Sequence, residues 1–133
     1  MGSNLNKWTP EEMQAATAFV TYYKRIRPMV QRGALYRLIA PEGSESSATE
    51  YVAQDGKQAV LFAFLHSQQF GTPFPTVLLR GLEENAMYKV EALDPQQQPI
   101  TANVSGAYLM HHGLDLNLHG DYDSTSLLLE KQP

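Results

Sequence analysis

The stretch Arg27-Pro28-Met29-Val30-Gln31-Arg32-Gly33-Ala34-Leu35-Tyr36-Arg37-Leu38 decides the fold, because the chain changes character at Gly33. Before it lies one strong amphipathic helical pattern. After it come short runs of β-forming residues separated by turns, with no second long helix. Pro28 cannot donate its amide and disfavours a helical Arg27, so the long helix is expected to end near there. Pro28 to Arg32 can add one more turn, and Gly33 is expected as a left-handed stop.

Working back from the junction, the helix start is well signed. Thr9 is an N-cap candidate, Pro10 suits the first helical position, and Glu12 completes a capping box. Trp8 and Met13 have the spacing of a hydrophobic staple. Met13, Ala16, Phe19, Val20, Tyr23 and Ile26 recur at steps of three and four, a stripe that needs an apolar partner.

Working forward, strands are expected at Leu35 to Ile39, Thr49 to Ala53, Ala59 to His66, Thr76 to Leu79, Met87 to Leu93 and Leu127 to Leu129. The alternation Leu114-Asp115-Leu116-Asn117-Leu118 suggests another. Asp55-Gly56 marks a hairpin between the second and third. Ala59-Val60-Leu61-Phe62-Ala63-Phe64-Leu65 is almost wholly apolar, as in a central strand covered on both faces. Asp94 to Pro99 reads as a polar turn, and Ser105 to Gly113 as an irregular segment with room for one helical turn. The expected fold is mainly β: an antiparallel β-sandwich of about seven to eight strands, Greek-key in type, preceded by one amphipathic α-helix.

Composition narrows the function. The chain has 133 residues and 43% hydrophobic content, so it is one globular domain with at most an appended element. It has no cysteine, which excludes disulfides and thiolate zinc sites and suits a cytoplasmic setting. No apolar run is long enough to span a membrane. Residues 1–8 read as an artificial start or linker rather than a signal peptide. The net charge is −4 with no basic stripe, which argues against nucleic acid.

Two stretches resemble a known family. One is Tyr23 to Leu38. The other is Ser105-Gly106-Ala107-Tyr108-Leu109-Met110-His111-His112-Gly113-Leu114, continuing to Gly120-Asp121-Tyr122-Asp123-Ser124. The first is similar to the junction of melibiase-type α-galactosidases (glycoside hydrolase family thirty-six), where the last helix of a catalytic (β/α)8 barrel meets a C-terminal β-sandwich. The second is similar to the family's Gly-x-x-Leu-Met-x-x-Gly-Leu stretch and Gly-Asp-Tyr turn. Ala59 to Phe64 and Leu79-Arg80-Gly81-Leu82 follow the same order, so the resemblance runs over essentially the whole chain. It implies retaining hydrolysis of terminal α-galactosides by two aspartates on barrel strands upstream of this sequence. It also implies that residues 9–32 are the last barrel helix, that 33–131 form the C-terminal domain, and that many members are oligomers. No residue here matches either catalytic motif.

Read for their own chemistry, the polar groups stay modest. His111, His112 and His119 with Asp121 could suggest a metal site, but neighbouring side chains on a strand point apart and zinc needs convergent ligands, so surface roles are preferred. Asp121 and Asp123 could be a general acid and a nucleophile, but they sit in a turn where aspartates bond backbone amides, which is the preferred reading, and Glu83 and Glu84 sit in another turn. Trp8, Tyr22, Tyr36, Tyr51, Tyr88, Tyr108 and Tyr122 could form a sugar platform, but core or interface positions are the preferred reading. Lys24, Arg25 and Arg27 could bind an anion, but offsetting the dipole of the helix C-terminus is the preferred reading.

The expectation is therefore a non-catalytic C-terminal domain of an α-galactosidase, without metal or cofactor. Its partner is the parent's barrel, met through Met13, Phe19, Val20, Tyr23 and Ile26, with homo-oligomers implied by the resemblance. The rival readings are a carbohydrate-binding module making weak galactoside contacts and a free-standing β-sandwich binding protein.

Overall fold

A computed structural model describes residues 4–93 and 102–133. After a 3-10 turn at Leu5–Lys7 come helix α1, Pro10–Arg32, and strands β1 Ala34–Ile39, β2 Ser46–Val52, β3 Gln58–Leu65, β4 Met87–Ala92 and β5 Ala102–Ser105. A short helix α2, Gly106–His111, precedes the last strand, β6 Asp123–Lys131. The turn expected at Asp94 to Pro99 lies outside the described residues.

The capping box is present. Thr9 Oγ1 accepts from the Glu12 amide at 3.2 Å, and Glu12 Oε2 accepts from the Thr9 amide at 2.7 Å. Contrary to expectation, α1 does not end near Arg27 but continues through Pro28 to Arg32. Ile26 and Met29, on either side of the proline, are both buried against the sheet, and that packing carries the helix across the missing hydrogen bond. The stop at Gly33 is not left-handed either: its φ is −74° and ψ 168°. Glycine is needed there for space. A Cβ would lie 2.5 Å from the Met29 carbonyl oxygen and 2.6 Å from that of Val52.

The six strands form one antiparallel sheet in the order β1-β2-β3-β6-β4-β5. The Asp55-Gly56 turn closes the β2–β3 hairpin, with the Gly56 amide donating to the Ala53 carbonyl at 2.9 Å. β3 and β4 both run antiparallel to β6, so they point the same way. The chain leaving β3 must therefore return the length of the sheet before β4 can begin. The same holds between β5 and β6. Both return segments cross one face of the sheet in opposite directions. They bury Val77, Leu79, Leu82, Leu109, Leu116 and Leu118 in one cluster with Ala48, Leu61 and Leu127 of the sheet. The two segments meet at a single bridge between Val77 and Leu114.

The mainly-β, antiparallel fold behind an N-terminal helix is as expected and consistent with a β-sandwich, but the strand count among the described residues is six. Thr76 to Leu79 and Leu114 to Leu118 are not strands. Pro75 lacks a donor, and Asn117 adopts φ 55°, so no ladder extends beyond the bridge. The leucines of the second segment still alternate inward. β5 was not expected, and β6 is much longer than Leu127 to Leu129.

The shared family stretch has a physical reading here. Gly106 is buried, and a Cβ on it would collide with the Glu83 carbonyl oxygen. Leu109 is fully buried in the core, and Leu114 makes the bridge to Val77.

One carboxylate lies inside the same core. Glu50 sits between Ala48 and Val52 on the inward face of β2 and is 0% exposed. Its Oε2 accepts from the Arg80 amide at 2.8 Å, whereas Oε1 has no partner. Burial pushes this carboxyl up to about 7, against the opposing pull of the Arg80 amide and charge.

Candidate functional site

The face of the sheet away from the main core carries α1, but only the second half of the helix touches it. Ile26 and Met29 pack with Val60, Leu93 and Leu128, flanked by Tyr22, Val30, Tyr51 and Phe62. Arg25 fastens this contact from the rim. Its Nη2 reaches Glu91 Oε1 on β4 at 2.6 Å and Glu130 Oε2 on β6 at 3.2 Å. Lys89 adds a contact to Glu91 at 3.1 Å. Partial burial works against the Glu91 charge, but the hydrogen bonds from Lys89 and Arg25 outweigh it and hold its carboxyl below the usual range. Of the helix's basic cluster, Arg25 is thus used in tertiary ion pairs, a role the dipole-offsetting reading missed.

The expected interface residues divide. Ile26 is 5% exposed, buried against its own sheet. It faces inward because it shares the Tyr22–Met29 side of the helix, a side that the stripe running from Met13 slides past as the helix turns. Met13, Phe19, Val20 and Tyr23 are 42–58% exposed. Between helix and sheet, Phe19, Tyr22, Tyr23, Ile26, Phe62 and Leu93 line an open apolar groove of about 280 Å³. The apolar surface continues onto the sheet at Phe64 and Leu35, both close to half exposed. β3 is therefore covered on both faces only over its first half: Val60 is buried beneath the helix and Phe64 stands beyond it.

The polar constellations are dispersed. His111 Nε2 lies 3.2 Å from Glu84 Oε1, and His112 stacks on Tyr108 with ring centroids 5.0 Å apart. His119 lies on the second return segment. Asp121 Oδ1 accepts from the Gln68 amide at 2.9 Å, and Asp123 accepts from the amides of His119 and Ser124. Both aspartates thus serve loop backbone. Among the tyrosines, Tyr88 is fully buried, with its hydroxyl donating to the Gly56 carbonyl at 3.1 Å. Tyr22, Tyr36 and Tyr51 are half-buried, and Tyr108 and Tyr122 are exposed. No helix among the described residues is long and apolar enough to cross a membrane.

Known proteins share this arrangement. Residues 46–129 match the model of the glycosyl hydrolase family 36 C-terminal domain. Alpha-galactosidase 2 of Hypocrea jecorina is 36% identical over 124 residues, which is 92% of this chain and 16% of that protein. The chain thus spans about one sixth of the length of such relatives. The crystal structure of the GH36 alpha-galactosidase AgaB from Geobacillus stearothermophilus superposes with a TM-score of 0.83 at 26% identity, covering 96% of this chain and 17% of that one. A variant of alpha-galactosidase AgaA from the same organism, solved in complex with raffinose, gives 0.82 at 25% identity, covering 97% and 17%. With its motif residues at the positions where the fold needs them, the chain belongs to the glycosyl hydrolase family 36 C-terminal domains.

Proposed function

We propose that this chain is the non-catalytic C-terminal part of an α-galactosidase, with residues 9–32 the last helix of a (β/α)8 barrel and 33–131 the domain that supports it. The observation that carries this reading is the division of α1. Its second half is buried on the sheet, while Met13, Phe19, Val20 and Tyr23 of the first half present an uncovered apolar face. A helix apolar beyond the surface it covers belongs to a second core. The relatives' extra length offers one, and retaining hydrolysis through a pair of carboxylates resides there. The domain then contributes buried seam and rigidity rather than reacting groups.

The test uses the 133-residue chain. Without its barrel, the exposed face drives association, so sedimentation velocity should show a rising weight-average mass with concentration. Phe19→Asp should reduce it. A chromogenic α-galactoside should not be turned over. A monomer at high concentration, or turnover that survives repurification, refutes the proposal.

A further inference from the structure

The end of the domain where β3 finishes and β6 begins is built unlike the rest. Three loops meet there: 41–47, 66–75 and 113–123. Gln68 braces two of them. Its amide donates to Asp121 Oδ1 at 2.9 Å, its Oε1 accepts from the Gly120 amide at 2.8 Å, and its Nε2 donates to the Thr72 carbonyl at 3.0 Å. The three non-glycine residues with positive φ among the described residues, Phe70, Asn117 and Tyr122, all lie in these loops. Phe70 and Tyr122 project their rings almost wholly into solvent.

Pro73 and Phe74 form a wall shared by two adjoining cavities of about 390 and 330 Å³. The larger is lined on its other side by Asp115, Asn117 and His119, with Thr76 between. The alternation of the second return segment puts them there: Leu116 and Leu118 go into the core, so Asp115, Asn117 and His119 face out. Thr76 Oγ1 donates to Asp115 Oδ1 at 2.6 Å and holds the carboxylate in place.

The chemistry of this cleft selects a ligand class. The three loops contain no lysine or arginine, while Glu42, Glu45, Asp115, Asp121 and Asp123 lie in them, so anions are repelled. A metal ion is not what the acids gather around. Asp121 and Asp123 are committed to backbone amides, and no group of three metal-ligating side chains converges among the described residues. A carboxylate, an amide and an imidazole beside a phenyl ring suit a neutral molecule with an apolar face and several hydroxyls. Hydroxyls donate to the carboxylate, exchange both roles with the amide, and leave the C–H face for the ring. The volume falls in the range of small-ligand sites.

We propose that the cleft between Phe74 and the Asp115–His119 segment binds a neutral hexopyranose, one ring of an oligosaccharide. This claim is independent of the helix interface and survives its failure. The loop brace by Gln68 keeps the cleft open before the ligand arrives, which limits the ordering cost of a shallow site.

The test is a titration of the isotope-labelled 133-residue chain with galactose, melibiose and raffinose, each followed by amide shifts. Inorganic phosphate is the control. Saturating shifts confined to Phe74, Thr76 and 115–119, with Kd in the millimolar range, are expected. Asn117→Gly removes the amide side chain while relieving the left-handed backbone, so the fold should persist and affinity should fall about tenfold. Asp115→Ala should abolish binding. No shifts at the highest sugar concentration would overturn the proposal. So would shifts caused by phosphate, shifts unchanged in Asn117→Gly, or shifts at these residues that follow protein concentration alone and mark a second copy as the occupant.

Discussion

Glu50→Gln isolates the one carboxyl that lies buried in the main core among the described residues. Glu50 is 0% exposed and has a single hydrogen bond, from the Arg80 amide. Burial raises it from 4.5 to about 7. Folding thus takes up a proton wherever the unfolded carboxyl is ionised and the folded one is not. The group's stabilising contribution is full below pH 4.5, falls as pH rises toward 7, and is flat above. Across a window of 7 − 4.5, about 2.5 pH units, at about 1.4 kcal/mol per unit, the loss is on the order of 3 kcal/mol. Glutamine keeps an acceptor for the Arg80 amide but does not titrate. Its NH2 group has no partner, but neither has the hydroxyl of the protonated acid at Oε1, so the two side chains are closely matched below pH 4.5. The variant should therefore be close to the unsubstituted chain in stability at pH 4 and more stable at pH 8. Urea unfolding followed by circular dichroism from pH 4 to 8 measures both. The difference between the two stability curves removes every other titrating group from the comparison. Parallel curves, with a difference independent of pH, would refute the buried, neutral-range carboxyl.

Other substitutions read separate parts of the fold. Leu61→Ala, at a fully buried position on the central strand, should cost about 2–5 kcal/mol in urea unfolding. Gly33→Ala forces a Cβ against two backbone carbonyls and should cost about 1–3 kcal/mol, visible as a lowered Tm. Arg25→Ala removes a half-exposed pair of ion contacts, so its cost should be about 1 kcal/mol or less and should shrink as salt is added. Because Glu91 is held below the usual range, the part of that cost due to its charge should fade as pH drops below the ordinary carboxylate value.

The local signals that survived folding are those whose cause is local. The Thr9–Glu12 cap, the Asp55-Gly56 hairpin and the apolar run Ala59 to Leu65 each carry their reason within a few residues. The failures share a different cause. Nothing near Pro28 announces that Ile26 and Met29 meet a sheet whose strands lie up to a hundred residues away. Leu114 to Leu118 alternates like a strand because its leucines do point inward, but topology makes it a crossing segment with no ladder to join. Ala102–Ser105 carries too little apolar character to stand out, and pairing with β4 makes it a strand. Phe62 belonged to a run that reads as buried on both faces, yet it is only half-buried, edge-on to Tyr51 at 6.3 Å, because it lines the open groove between the helix and the sheet. Glu50 was legible in principle. A period of two through Ala48, Glu50 and Val52 puts it inside, and the expected strand Thr49 to Ala53 held the last two of these but began one residue too late for the first. The cleft residues Asp115, Asn117 and His119 follow from the same periodicity, whereas Phe74 and the bracing Gln68 come from another loop and gave no sign of joining them.

The division of α1 links these points. Its N-terminal end is the best capped position in the chain, yet none of the first dozen residues is buried. A helix in water gains little from a single cap, and most helical stability in proteins comes from packing one face. Here burial on the sheet starts only near Tyr22, so the first half is held chiefly by its cap and its continuity with Ile26 and Met29. Apolar side chains at Met13, Phe19, Val20 and Tyr23 add no stability while exposed. They act only when something covers them. A strong cap at the far end, an uncovered apolar side next to it, and a rigid attachment through Arg25, Ile26 and Met29 are together the properties of a helix that hands one core to the next, which is why the proposed barrel contact rests on the first half of α1 rather than on the sheet.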